Sequence, residues 1–141
     1  MSATAALTPE EQSRLREALA GVPYAALLGL ELVSAERGAA TFALDWRAEL
    51  TRMEGILHGG ALVSLLDTAA AFAVMTLLPP GGRTVTVDLT VHFLRPVSAG
   101  RLEARARVLR DGRRICVIQI EATDQTGVLI STATTTYVKQ T

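Results

Sequence analysis

A single carboxylate, Asp67, sits inside the most apolar stretch of the chain, Gly59 to Met75, and the run His58-Gly59-Gly60 opens that stretch. Burying an ionised carboxylate without partners is costly, so Asp67 needs a strong structural or chemical reason to be there. Such a group can act as a general base on water or as a nucleophile toward an acyl carbon. The helix entry offers a complement. Its first backbone N–H groups lack intrahelical partners and lie at the positive end of the dipole. Glycines let a substrate approach those groups closely, and they can hold a carbonyl oxygen on which negative charge develops. The same two glycines would also suit a plain tight turn into the helix.

Other chemistries fit less well. One cysteine, Cys116, excludes an internal disulfide, and with only His58 and His92 beside it a metal cluster is not expected;. A Ser64/His58/Asp67 triad lacks a nucleophile elbow and would crowd three groups onto one helix. Ser64 lies one turn before Asp67 and is within reach of hydrogen-bonding it;.

The elements that must position these residues are legible from local signals. Thr8-Pro9-Glu10-Glu11 reads as a capping box with proline at the first helical position;. The helix it opens should run to about Ala20 and end on a left-handed Gly21. Val22 to Leu28 reads as a short helical turn. Leu30–Glu36 and Ala39–Trp46 flank Arg37-Gly38 as a first hairpin, and Arg47 to Glu54 reads as loop. Pro79-Pro80-Gly81-Gly82 breaks the apolar helix. Strands follow over Thr84–Phe93, Arg101–Leu109, Arg113–Thr123 and Val128–Val138. Asp111-Gly112 is read as a two-residue hairpin turn, and Asp124 to Gly127 as the next turn. Residues 1–24 form an N-terminal helix and connection, and residues 25–141 a single domain.

Composition bounds the partners. Hydrophobic residues make up 49% and charged residues 20%, a balance that supports a packed core rather than disorder. Fourteen basic and fourteen acidic side chains give zero formal charge, so neither nucleic acid nor an acidic membrane surface is expected as a partner. A membrane-spanning reading of Gly59–Leu78 is opposed by Asp67, which at mid-span costs about 2.5–3.5 kcal/mol on insertion scales. No basic segment leads into an apolar run at the N-terminus, so a cytoplasmic location is expected. One sheet can bury the apolar helix on one side only. Its far side needs sheet curvature or a second subunit, which predicts an oligomer.

With these residues in place, the chain resembles the hotdog-fold acyl-CoA thioesterases of the phenylacetyl-CoA and 4-hydroxybenzoyl-CoA type. The resemblance covers about residues 25–138. It rests on His58-Gly59-Gly60 with Asp67 nine positions after the histidine, on Thr84 to Leu89, and on Phe93-Leu94-Arg95-Pro96-Val97. Gly100, Gly112-Arg113-Arg114 and Thr134 to Tyr137 also match. The implied fold is α+β, a long central apolar helix wrapped by a curved antiparallel sheet. The implied activity is hydrolysis of an aryl-, phenylacetyl- or medium-chain acyl-CoA to carboxylate and free CoA. CoA is then part of the substrate, and no separate cofactor is required.

The resemblance assigns the oxyanion-holding N–H to Gly59, the base or nucleophile to Asp67, a water-holding hydroxyl to Thr86 and a supporting role to His58. Many relatives carry Asn six residues before the motif histidine, where it contacts the acyl group or orients the water. Here that position is Arg52, preceded by Thr51. Arg52 is assigned to substrate binding with Gly60, Ser64, Arg95 and Arg113. The arginines, with Arg114, are candidates for the CoA phosphates, although solvated strand-end charges look the same in a sequence. Leu57, Leu66, Phe72 and Met75 are candidates for lining the acyl pocket.

Spacing adds a constraint. Asp67 lies eight residues after Gly59, about 12 Å along a helix. Reacting groups must come within roughly 3–3.5 Å. Asp67 of one subunit must therefore face Gly59 of another, giving two equivalent sites per two-fold dimer. A homodimer is the expected minimal unit and a homotetramer the expected assembly. The competing reading is a non-catalytic acyl-CoA-binding protein; a hotdog dehydratase or hydratase would need a different His-acid motif.

Overall fold

The capping box forms as the sequence predicts. In the computed structural model, which describes residues 5–140, the Glu11 N–H donates to Thr8 Oγ1 (3.2 Å) and the Thr8 N–H to the Glu11 carboxylate (2.9 Å). The Thr8 N–H bond, with a hydrogen bond from Arg37, holds the half-buried Glu11 carboxyl below its ordinary range;. Helix α1 spans Pro9–Ala20. Gly21 does not take the expected left-handed cap: its φ is −87° and its N–H reaches back to Glu17 and Ala18. The tightened last turn lets the chain pass straight into α2, Pro23–Leu28, and the left-handed glycine is Gly29, with φ 74°.

Strands β1 (Glu31–Glu36) and β2 (Ala39–Asp45) form the first hairpin. The stretch Arg47 to Glu54, expected as loop, is taken up by two short 3₁₀ turns, Ala48–Leu50 and Met53–Gly55. Helix α3 spans Gly59–Met75. After the Pro-Pro-Gly-Gly break come β3 (Arg83–Phe93), β4 (Arg101–Asp111), β5 (Ile115–Asp124) and β6 (Leu129–Gln140). All strand pairs are antiparallel, in one sheet ordered β1-β2-β4-β5-β6-β3. The sheet curls around α3, giving the hotdog arrangement.

The β4–β5 turn falls on Arg113-Arg114, closed by the Gly112 N–H on the Ile115 carbonyl (2.9 Å), rather than on Asp111-Gly112. Strand β4 carries a bulge, its register shifting between Val108 and Arg110, and beyond it Ala104, Ala106 and Val108 lie opposite Ala122, Ile120 and Ile118, core face against core face. A one-residue slip there would set core residues opposite solvent residues. Gly112 is a glycine for room, since a Cβ there would lie 2.7 Å from the Ile115 carbonyl oxygen.

Leu65, Leu66, Ala69, Ala70 and Ala73 of α3 are wholly buried, and Phe72 packs edge-on against Phe42 with ring centroids 4.9 Å apart. Leu66 and Phe72 therefore belong to the core and do not line a pocket. One strip of α3 stays open: Gly60, Ser64, Asp67, Ala71 and Met75 are exposed or half-buried, on the spacing of a single helical face. Cys116 is fully buried, and burial, aided by a thiol contact to Asp111, pushes its thiol up to about 11. It behaves as the small apolar residue expected. Among the described residues no helix is long and apolar enough to cross a membrane.

Candidate active site

The helix entry is built around one imidazole. His58 is the N-cap of α3, and its Nδ1 accepts the Gly60 N–H at 2.7 Å. Its carbonyl takes the N–H groups of Ala61 (3.0 Å) and Leu62 (3.3 Å). Among the described residues this leaves the Gly59 N–H as the one donor of the first turn without a partner. The motif's glycines differ in purpose. A Cβ on Gly60 would lie 2.9 Å from His58 Nδ1, so the cap requires glycine there, whereas a Cβ on Gly59 would rest 3.4 Å from the Phe93 ring. Replacing His58 with Ala removes the cap and is expected to cost about 1 kcal/mol, read as a lowered urea midpoint with unchanged m-value.

The preceding loop is pinned by the Leu57 N–H on the Val97 carbonyl (2.7 Å) and the His58 N–H on the Leu50 carbonyl (2.8 Å). Its tip turns through Glu54 and Gly55, both at positive φ (69° and 70°), a conformation that costs a non-glycine residue about 1–2 kcal/mol. Beside it lies a cleft of about 260 Å³ lined by Leu57, Gly59, Leu62, Phe93 and Val97, with Arg52 and Arg95 contributing to its wall. Three predicted residues, Gly59, Arg52 and Arg95, thus meet in one place.

Asp67 lies elsewhere, on the open strip of α3 facing β3. Its Oδ1 accepts the Thr86 hydroxyl at 3.0 Å and the Tyr137 hydroxyl at 2.5 Å. The Tyr137 oxygen also stands 2.8 Å from the Asp67 carbonyl. Thr86 and Tyr137 are directly paired across β3 and β6, so both side chains project from one face of the sheet. The register shifts between Thr86 and Asp88, leaving Val87 as an extra residue. The Asp88 side chain then anchors the strand by accepting the Thr136 N–H (3.0 Å). Such a bulge re-aims the neighbouring side chain; here it turns Thr86 toward the carboxylate. Among the described residues every side-chain hydrogen bond to Asp67 falls on Oδ1, and Oδ2 is open.

Tyr137 is 2% exposed. Burial first, and the Asp67 hydrogen bond second, raise its pKa well above the ordinary phenol range, so it stays protonated and donates. Sequence reasoning passed over it as a site residue. The available signal was a tyrosine in a core-facing strand position, whose hydroxyl must find a partner.

Two expected contacts are absent. Ser64 does not bond Asp67; it donates to the Gly60 carbonyl one turn back and pairs with the Tyr24 hydroxyl, both at 2.8 Å. A serine in mid-helix reaches the carbonyl four residues earlier more readily than a side chain one turn ahead. Arg113 and Arg114 sit in the exposed β4–β5 turn, away from the cleft that holds Arg52 and Arg95. No group of three or more His, Cys, Asp or Glu able to hold a metal occurs among the described residues. The chain therefore carries two half-sites: an oxygen-binding N–H beside an apolar cleft, and an oriented carboxylate with one free oxygen.

Comparison with known proteins agrees with this chemistry. The sequence profile of the thioesterase superfamily matches residues 54–131. A Saccharolobus solfataricus protein bearing a provisional esterase name is 35% identical over 113 residues, covering 79% of this chain and 73% of that one. The medium/long-chain acyl-CoA thioesterase YigI of Salmonella typhimurium is 30% identical over 131 residues, covering 82% and 84%. The solved structure of the Escherichia coli PaaI protein, from the phenylacetic acid degradation operon, superposes with a TM-score of 0.85 at 26% identity, covering 94% and 95%.

Proposed function

The chain belongs to the thioesterase superfamily and hydrolyses acyl-CoA thioesters, and from that premise we propose that each active site is assembled from two copies of it. The observation that carries the proposal is the separation of the half-sites. The Gly59 N–H and Asp67 stand eight residues apart on one straight helix, about 12 Å, yet each lies beside β3. Phe93 of β3 rests against Gly59 and Thr86 of β3 bonds Asp67.

Strand β3 is the outer edge of the sheet, with Val87 and Phe93 more than half exposed. A long apolar edge is a template for pairing with another chain. Antiparallel pairing of two β3 edges about a two-fold axis reverses the strand. The Thr86 end of one copy then meets the Phe93 end of the other, carrying Asp67 toward the second copy's Gly59. Two such dimers, meeting through the exposed Tyr24 and Leu27 of α2, would give a homotetramer.

In this arrangement the thioester oxygen lies on the Gly59 N–H of one subunit. Asp67 Oδ2 of the other takes a proton from water, whose oxygen bonds to the acyl carbon as the carbonyl electron pair moves onto the held oxygen. Collapse breaks the C–S bond, and the proton leaves with the CoA sulfur. Thr86 and Tyr137 fix the carboxylate through Oδ1, and Thr86 Oγ can still accept from the water. His58 holds the helix entry, with Gly60 leaving room for its ring. Arg52 and Arg95 flank the cleft, where they suit CoA phosphates; Arg113, at the β4–β5 turn, lies away from that cleft and is left out of this role. Because acyl-CoA is made and consumed inside cells, the cytoplasm is the proposed location.

The test is CoA release, followed with a thiol-reactive dye, from phenylacetyl-, benzoyl- and C4 to C16 acyl-CoA. The buried Cys116 should contribute no dye signal in the native protein;. Turnover of one acyl class is expected. Saturable binding of acyl-CoA without release from any of them would instead make the chain a ligand-binding protein.

A further inference from the structure

Beyond Asp67 the open strip of α3 continues through Ala71 to Met75 and ends in a groove between the tail of α3 and helix α1. The groove encloses about 360 Å³; Leu7, Leu15, Ala18, Met75 and Leu78 supply its apolar lining, and the charged side chains Glu11, Arg14 and Glu17 of α1 line it as well. That volume lies within the range of small-molecule pockets. Helix α1 lies wholly outside residues 54–131, the segment matching the superfamily profile. It packs on α2 and β1, and so stands off from α3 far enough to leave the groove. We propose that this groove seats the distal carbons of a straight acyl chain, making α1 the element that sets chain length. The proposal rests on the thioesterase reading and on Asp67 marking the reacting carbon.

Three observations connect the apolar part of the groove to an acyl chain held at Asp67. It starts on the same helical face as Asp67: residues 67, 71 and 75 follow the four-residue spacing of one stripe;. Met75 lies eight residues beyond Asp67, about 12 Å, the reach of a chain of about ten carbons. The path between them, Thr68, Ala71 and Met75, carries no charged side chain and is half-buried rather than sealed. An aryl group held at Asp67 is too short to arrive there. A methionine at the mouth suits a flexible chain, because its unbranched side chain adapts to what it packs against.

The experiment compares kcat/KM for dodecanoyl-CoA with that for butanoyl-CoA, taken as a ratio within each protein so that a loss of folded enzyme cancels. Ala18→Phe narrows the groove and should lower the ratio by about tenfold or more, as the loss of a few methylene contacts does. Met75→Ala widens it and should move the preferred chain toward hexadecanoyl-CoA. A ratio unchanged in both variants, with turnover intact, removes the groove and leaves the thioesterase reading standing. Absence of turnover of any chain by the unaltered protein removes both. Sedimentation supplies a further arm. If Ala18→Phe splits the assembly while the unaltered protein stays associated, the groove seats a second copy and the proposal fails.

Discussion

Asp67→Asn is expected to leave the fold intact and to lose about 2–4 kcal/mol of transition-state stabilisation, roughly 30- to 1000-fold in kcat/KM. The substitution is nearly silent structurally because its amide oxygen can replace Oδ1. Two hydroxyls, Thr86 and Tyr137, donate to that atom, and they select the amide orientation that turns oxygen toward them. The NH₂ group then occupies the place of Oδ2, where it can neither take a proton from water nor attack carbon. Steady-state thiol release, with the urea midpoint measured in parallel, separates chemistry from stability. Turnover within about twofold of the unaltered protein, with the midpoint unchanged, would remove Asp67 from the mechanism.

Mixing two inactive variants should restore activity from near zero. Asp67→Ala lacks the carboxylate half-site, and Gly59→Val blocks the approach to the N–H half-site next to Phe93. In a heterodimer the intact Asp67 of the second variant faces the intact Gly59 of the first, so one of two sites is complete. Random exchange yields about half heterodimers and therefore about a quarter of normal activity. Recovery should follow the rate of subunit exchange and be absent when each variant is assayed alone. A mixture as inactive as its components, with exchange verified by labelled subunits, would mean that each site belongs to one chain.

How much of this was legible beforehand divides along a physical line. Most signals that act within a few residues read correctly, the cap expected at Gly21 and the turn expected at Asp111-Gly112 being the exceptions. The Thr8–Glu11 box, the proline-glycine break after α3, and the alternation of Leu102, Ala104 and Ala106 with Glu103, Arg105 and Arg107 each fix local backbone or one face. The split between Gly59 and Asp67 was legible too, because it needs only the rise of a helix. Pairings between distant segments were not legible. The place of β3 beside β6, the bulge at Val87 and the Tyr137 contact depend on which faces meet after folding, and period-two patterning is silent on that. Ser64 shows the limit in miniature. Its spacing to Asp67 is suitable, but the Gly60 carbonyl and Tyr24 hydroxyl take its hydrogen bonds.

The extra residue in β3 gives that strand two reading frames. From Arg83 to Thr86 the frame serves the carboxylate; from Asp88 onward it is locked to β6 by the Asp88 carboxylate on the Thr136 N–H and by the Thr135 hydroxyl on the Asp88 carbonyl. The bulge and its two hydrogen bonds stand between the Thr86 end, which serves Asp67, and the Phe93 end, which rests against Gly59. One strand therefore sets the position of both half-sites, and a change of register along it would move the carboxylate and the N–H donor together.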